Sequence, residues 1–311
     1  MKIIFFGTAH VALPVLEELN RKHQVLAVVT TPDVKVGRKQ ELTESPVSSL
    51  ARRLKLKVFK PEHPKNDPEF LSELKKLNAD IFVVVAYGKI LPAEIINLPK
   101  FKTVNVHFSL LPKYRGASPI QTALLNGEWE TGTSIFILNE KVDAGAILRQ
   151  ERIDVEPNDN YETLSDRLAR LSAEVIDQTL GDYASGKLTP LPQDESRVSH
   201  TKIIKKEDGR VDWNKSAEQI YNQFRAFYVW PGIWTAWKGQ NLKIAECEAT
   251  ELENKSATEN YRIGIVLDRG IVVCGKNSAL KITRLQLAGK NETTIQEFLN
   301  GHRDFIGSRL G

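Results

Sequence analysis

Residues 81–87 read I-F-V-V-V-A-Y, an unbroken apolar run closed by Gly88. A strand with one wet face alternates apolar and polar residues. A run without alternation, bounded by glycine, is expected of a central parallel strand covered on both faces. The flanks agree. Residues 2–6 form another short apolar strand ending at Gly7. Residues 11–22 put Val11, Val15, Leu16 and Leu19 on one helical face, with Pro14 in the first turn, where its missing N–H costs nothing. Further strands are expected at 24–30, 57–59 and 103–107, and helices at 46–54 and 67–77, the second capped by Asn66. Segments 133–138 and 146–153 pair around the turn K-V-D-A-G at 141–145, and a long helix covers 161–183. The alternation predicts an α/β fold with a doubly wound, Rossmann-like parallel sheet. In such sheets ligands collect at the carboxyl ends of the strands. The first turn, G-T-A-H-V-A-L-P at 7–14, is not GxGxxG, which argues against a dinucleotide.

The pattern changes after residue 184. Residues 185–210 are polar and basic, with Pro190, Pro192, Arg197, His200, Lys202, Lys205, Lys206 and Arg210, and read as a solvated interdomain connector. One helix at 216–227 follows. Short strands are then expected at 233–238, 242–250, 263–268, 271–275 and 280–288, with glycine-bearing turns, which suggests a small OB-like β-barrel. The expected domains are 1–184, a linker at 185–206, and 207–311.

The 311 residues allow two domains. With 41% hydrophobic and 26% charged residues the composition is that of a globular protein, and a net charge of +4 does not by itself argue for a nucleic-acid partner. Cys247 and Cys274 lie in no CxxC pair and read as buried thiols rather than a disulfide. The six histidines show no metal-ligand spacing, so no metal is expected. The opening M-K-I-I-F-F-G runs straight into a strand without a signal-peptide pattern, and no apolar run approaches the roughly 18 residues that span a bilayer; no membrane association and a cytoplasmic location are expected.

Chemistry concentrates at 105–112, N-V-H-F-S-L-L-P. A single histidine at a strand end is usually structural. Here Asn105 and His107 are two residues apart, so both side chains leave the same face of one strand. An amide and an imidazole N–H are both donors, and two convergent donors at the end of a sheet suit an oxyanion. Asp143, in the 141–145 turn, would orient the imidazole or accept a proton. Ser109 lies close to the histidine but in S-L-L-P, not in G-x-S-x-G, which argues against a serine nucleophile and for a shaped pocket loop.

The stretch 105–119, N-V-H-F-S-L-L-P-K-Y-R-G-A-S-P, with the later D-A-G, resembles the folate-dependent formyltransferases. Further matches are F-F-G-T at 5–8, Pro32-Asp33 with Gly37-Arg38, S-P-V at 45–47, V-V-A-Y-G-K-I-L-P at 84–92 and E-T-G at 130–132. In the second half V-D-W at 211–213, S-A-E-Q at 216–219 and R-A-F-Y-V-W-P-G-I-W at 225–234 narrow the likeness to the branch that acts on a charged tRNA. The resemblance implies transfer of a formyl group from 10-formyltetrahydrofolate to the α-amine of methionyl-initiator tRNA by a monomer, with Asn105, His107 and Asp143 catalytic. Ser109, Leu110, Leu111 and Pro112 would belong to the folate site, with Val85, Ala86, Tyr87 and Gly88 against the pterin. Arg38 and Lys39, in the insertion after the second strand, and Lys202, Lys205 and Lys206 would meet tRNA. The alternative is a formyltransferase for a small amine, a purine precursor or a nucleotide sugar. Ala9-His10 and Phe108 depart from the family pattern, and the 35–44 insertion is less basic than expected; none of these touches the catalytic three.

Overall fold

The computed structural model describes residues 1–36, 40–251 and 262–311. It divides into two compact units: Met1–Pro119 with Glu130–Asp154 and Leu164–Lys202, and Ile120–Trp129 with Val155–Thr163 and Ile203–Gly311.

In the first unit the chain runs through β1 (Lys2–Gly7), α1 (Leu13–Lys22), β2 (Gln24–Val29), the hairpin strands β3 (Val34–Val36) and β4 (Glu41–Thr43), α2 (Pro46–Arg53), β5 (Val58–Phe59), α3 (Pro68–Leu77), β6 (Ile81–Val85), α4 (Ala93–Ile96) and β7 (Thr103–His107). After α5 (Pro119–Leu125) come β8 (Glu130–Ile137), β9 (Ile147–Asp154) and the long α6 (Tyr161–Ala184). Seven strands form one sheet in the order β5-β2-β1-β6-β7-β8-β9. The pairs from β5 to β7 are parallel, while β8 and β9 run antiparallel. This is the Rossmann-like fold expected from the apolar runs. β1 and β6 lie side by side at its centre, and the chain winds outward from them in both directions. The switch point therefore falls between Gly7 and the end of β6, which is where such sheets open a ligand crevice.

Local chemistry fixes the element ends. The Ser45 hydroxyl accepts from the Ser48 N–H at 3.0 Å and starts α2, with Pro46 next. The cap of α3 is Asp67 rather than the expected Asn66: its carboxylate accepts from the Phe70 N–H at 2.9 Å, because Pro68 takes the first helical position. β6 stops at Val85, two residues before the apolar run ends, because Ala86 adopts a left-handed conformation with φ +46°. One face of the sheet buries Ile4, Phe6, Phe82, Val84 and Tyr87 against Phe70 and Leu74 of α3 and Ile95 of α4. On the other side of β8, the Thr133 and Ser172 hydroxyls meet at 2.8 Å and tie the strand to α6.

The second unit contains α7 (Ala217–Ala226), β10 (Ile233–Trp237), β11 (Gln240–Thr250), β12 (Ile271–Cys274), β13 (Ser278–Leu287), β14 (Thr293–Thr294) and α8 (Ile295–Gly301). Its strands form an antiparallel sheet ordered β10-β11-β13-β12, with β14 on β13. Ser216 and Gln219 form a capping box on α7. Segment 263–268 is not the strand expected. Only isolated bridges form at Ile265 and Val266, because Gly264 turns left-handed (φ +84°) and Asp268–Gly270 closes a helical turn. The pair β14–α8 goes unforeseen by the hydrophobic pattern, although Thr294 and Glu297 make a capping box legible in T-I-Q-E. Both cysteines are free and buried. Among the described residues no helix is long and apolar enough to cross a membrane.

Candidate active site

β7 brings Asn105 and His107 to the carboxyl edge of the sheet. Asn105 pairs with Val84 of β6 on one side and Phe136 of β8 on the other, and His107 pairs with Ser134. Both side chains therefore leave one face, as their spacing predicts. Asn105 is half-buried, and no described residue bonds its side-chain amide.

His107 is 6% exposed and has both ring nitrogens facing oxygen. Nε2 stands 2.9 Å from the Tyr114 carbonyl oxygen. A carbonyl only accepts, so Nε2 carries a hydrogen. Nδ1 faces the Asp143 carboxylate at 3.6 Å, an ion-pair distance too long for a direct hydrogen bond. Asp143 itself has φ +48° and receives the Gly116 N–H on Oδ2 at 2.8 Å. The His107 imidazole and the Asp143 carboxylate, 36 positions apart in the chain, thus meet at the edge of the sheet, and Asn105 leaves the same face of β7 two residues before the histidine.

The turn that carries Asp143 is shaped by a close approach. A Cβ on Gly145 would lie 1.6 Å from the Ile137 carbonyl oxygen, and the Ile137 N–H donates to the Ala146 carbonyl at 2.9 Å. Only a residue without a side chain lets β8 and the start of β9 pinch the 141–145 loop back toward His107.

The S-L-L-P loop is tied down by its own polar groups. The fully buried Ser109 hydroxyl donates to the Lys113 carbonyl at 2.6 Å, which commits it to structure. Ser134 Oγ donates to the Ser109 carbonyl at 2.6 Å and accepts from the Leu111 N–H at 3.0 Å, and Gln150 Nε2 donates to the Leu111 carbonyl at 2.9 Å. Leu111 is buried, and Leu110 and Pro112 are half-buried with Leu110 against Gly132. At the end of β6, Val85 and Tyr87 turn into the core, and burial raises the Tyr87 phenol pKa. Ala86 and Gly88 (φ +79°) form the surface of that turn. The turn is pinned to the first strand: the Thr8 N–H donates to the Ala86 carbonyl at 3.2 Å and its hydroxyl to the Tyr87 carbonyl at 2.8 Å.

Sequence reasoning misses a second layer. Residues 191–202, read as a solvated connector, are hydrogen-bonded into the first unit. Leu191 exchanges backbone hydrogen bonds with Ile147, and Arg115 bonds through its backbone to Ser199 and Thr201. The Tyr114 N–H donates to the Ser199 hydroxyl at 2.9 Å and the Ser118 N–H to the Thr201 hydroxyl at 3.1 Å. Arg115, 4% exposed, reaches Gln193 and Glu195. Its hydrogen bond to Glu195 is the main cause that lowers that carboxyl below the usual range. An arginine followed by glycine in the loop after a catalytic-type strand end is a signal that could have marked Arg115-Gly116; nothing local marks Gln193.

Of the residues expected to meet tRNA, Lys202, Lys205 and Lys206 are exposed, while Arg38 and Lys39 lie outside the described residues. Among the described residues no cluster of three or more His, Cys, Asp or Glu side chains is arranged to hold a metal.

Residues 1–180 match the formyl transferase family profile, and residues 203–303 match that of the formyl transferase C-terminal domain. The chain is 43% identical over 305 residues to a methionyl-tRNA formyltransferase of Caldicellulosiruptor saccharolyticus, covering 97% of each. It is 44% identical over 306 residues to one of Caldanaerobacter subterraneus subsp. tengcongensis, again covering 97% of each. Its fold matches that of a sugar 3N-formyl transferase solved in the presence of dTDP and 5-N-formyl-THF, with a TM-score of 0.66 and 19% identity, covering 94% of this chain and 99% of the other.

Proposed function

This chain belongs to the methionyl-tRNA formyltransferase family, and from that premise we propose how its residues divide the work. The enzyme formylates methionyl-tRNA. Our reading takes 10-formyltetrahydrofolate as the donor, consumed as co-substrate without a metal, and the initiator tRNA as the acceptor. The single observation that carries the reading is the approach of Asp143 Oδ2 to within 3.6 Å of His107 Nδ1 at the carboxyl end of β7, the strand whose same face carries Asn105.

With Nε2 committed to the Tyr114 carbonyl, Nδ1 is the nitrogen that meets the substrate. The α-amine, with a reference pKa of about 7.7–8.0, is partly neutral near pH 7 and attacks the formyl carbon. The Asn105 amide donates to the oxygen as its charge grows. His107 donates there from Nδ1 when its ring carries both protons. Asp143 takes the proton the amine loses. Collapse of the adduct breaks the bond to N10 of the folate, and that proton passes to N10, so the reaction balances with no bond to the protein. Ala86, Gly88 and the 109–112 loop would shape the folate site. Val85 and Tyr87 would act through the backbone.

For the acceptor, domain 1–184 would hold the reacting end. Lys202, Lys205 and Lys206 of the 185–206 segment, domain 207–311 and, from the insertion after the second strand, Arg38 and Lys39 would each hold phosphates. We place a monomer in the cytoplasm, where translation begins. The test is formyl transfer by the purified chain with 10-formyltetrahydrofolate as sole donor and methionyl-initiator tRNA offered beside small amines. Transfer to tRNA alone is expected, and transfer only to a purine precursor or nucleotide sugar would overturn the acceptor assignment.

A further inference from the structure

Gln193 lies in the stretch the sequence reads as a connector, yet it is 9% exposed and both N–H groups and both lone pairs of its amide are engaged. Nε2 donates to two carbonyls, those of Asp143 and Gly145, both at 2.8 Å. Oε1 accepts from Arg115 Nε at 3.0 Å and Nη2 at 2.8 Å. Arg115 immediately precedes Gly116, whose N–H holds the Asp143 carboxylate at 2.8 Å. The carboxylate and the main chain of Asp143 are thus tied to the same dipeptide, one directly and the other through Gln193. A left-handed aspartate is strained unless its surroundings fix it. Two donors on adjacent sides of the turn supply that constraint, and the same amide accepts from the Arg115 guanidinium.

We infer that Gln193 is a positioning residue for formyl transfer: it clamps the 143–145 turn so that the Asp143 carboxylate faces His107 Nδ1. The inference rests on the catalytic reading of Asp143 given above. It assigns the 191–202 segment of the first unit a part in the chemistry and sets a chemical requirement at position 193. The side chain must be neutral and carry both donor and acceptor. A carboxylate there keeps the arginine but turns oxygens toward two carbonyls.

The test compares Gln193→Glu, Gln193→Met, Asp143→Asn and the double variant Asp143→Asn/Gln193→Met in steady-state assays of the full chain, with cooperative melting as the control for folding. Gln193→Met keeps the volume should the charged variant fail to fold. Displacing a catalytic group by about 1 Å costs roughly 100-fold, so kcat is expected to fall by about 10- to 100-fold in each Gln193 variant, with KM for tRNA and folate within about twofold. In the Asp143→Asn background Gln193→Met should cost nothing further, since the group it positions no longer works. A folded Gln193 variant with wild-type kcat, a loss appearing in KM, or losses that multiply in the double variant would overturn the inference while Asp143→Asn stays strongly impaired but measurable in single-turnover assays. Wild-type activity in Asp143→Asn would instead overturn the catalytic reading, and the inference with it.

Discussion

His107 Nε2 and the carbonyl oxygen of Tyr114 stand 2.9 Å apart, and this one contact decides which imidazole nitrogen is left to face Asp143. The carbonyl requires a hydrogen on Nε2, so the nitrogen left toward Asp143 is Nδ1. The sequence places an imidazole at a strand end; the loop that returns through Tyr114 gives it a direction.

Removing either oxyanion donor should show in kcat. Asn105→Ala and His107→Ala are each expected to lose about 10²–10³ in kcat, or about 2.7–4 kcal/mol of transition-state stabilisation. Single-turnover assays with saturating folate and tRNA measure it. Near wild-type rates in a folded variant would refute the assignment.

Ser109 distinguishes a structural hydroxyl from a nucleophile. Because its Oγ donates to the Lys113 carbonyl, Ser109→Ala should lower stability by about 0.5–1.5 kcal/mol and leave kcat within a few-fold. A nucleophile would lose several decades. Rapid-quench kinetics beside urea melts separate the outcomes.

Gly145→Ala tests the pinch behind Asp143. A methyl group 1.6 Å from the Ile137 oxygen forces the turn apart. The expected destabilisation is about 1–3 kcal/mol, accompanied by a fall in kcat larger than any change in KM. Calorimetry and steady-state kinetics on the same sample read both, and an unperturbed melting temperature would contradict the geometry.

Arg38→Glu separates tRNA from folate. A lost phosphate contact should raise KM for tRNA about tenfold or more, leave KM for folate within twofold, and flatten the log–log salt dependence of tRNA binding by about one unit. Equal changes in both KM values would remove Arg38 from the tRNA surface.

The cysteines give a pH signature. Burial pushes the Cys274 thiol up to about 12 and the Cys247 thiol upward as well. The native protein should therefore resist iodoacetamide at pH 8 and react once unfolded. The sign for stability follows from proton binding. Above the unfolded thiol range of about 8.5 the native state holds more protons, so stability is full below that pH and falls as pH rises through the folded values. Denaturant midpoints from pH 8 to pH 10.5 check it, and a rising midpoint would show that the thiols are not buried acids.

Sequence alone determined most of the element types and the strand end at which Asn105 and His107 sit. Period and composition are local properties, so I-F-V-V-V-A-Y declares a strand buried on both faces, and N-V-H declares two side chains on one side of a strand. The same locality explains the misses. Segment 263–268 is apolar enough to be a strand, and only its glycine conformation and the helical turn after it break the ladder. Tertiary structure alone decided how far Asp143 comes from His107, which imidazole nitrogen faces that carboxylate, and that a polar connector runs back over the 114–118 loop as part of the first unit. Those outcomes depend on hydrogen bonds between residues tens of positions apart, such as Gln193 to Asp143, and no periodicity in the chain encodes a partner at that distance.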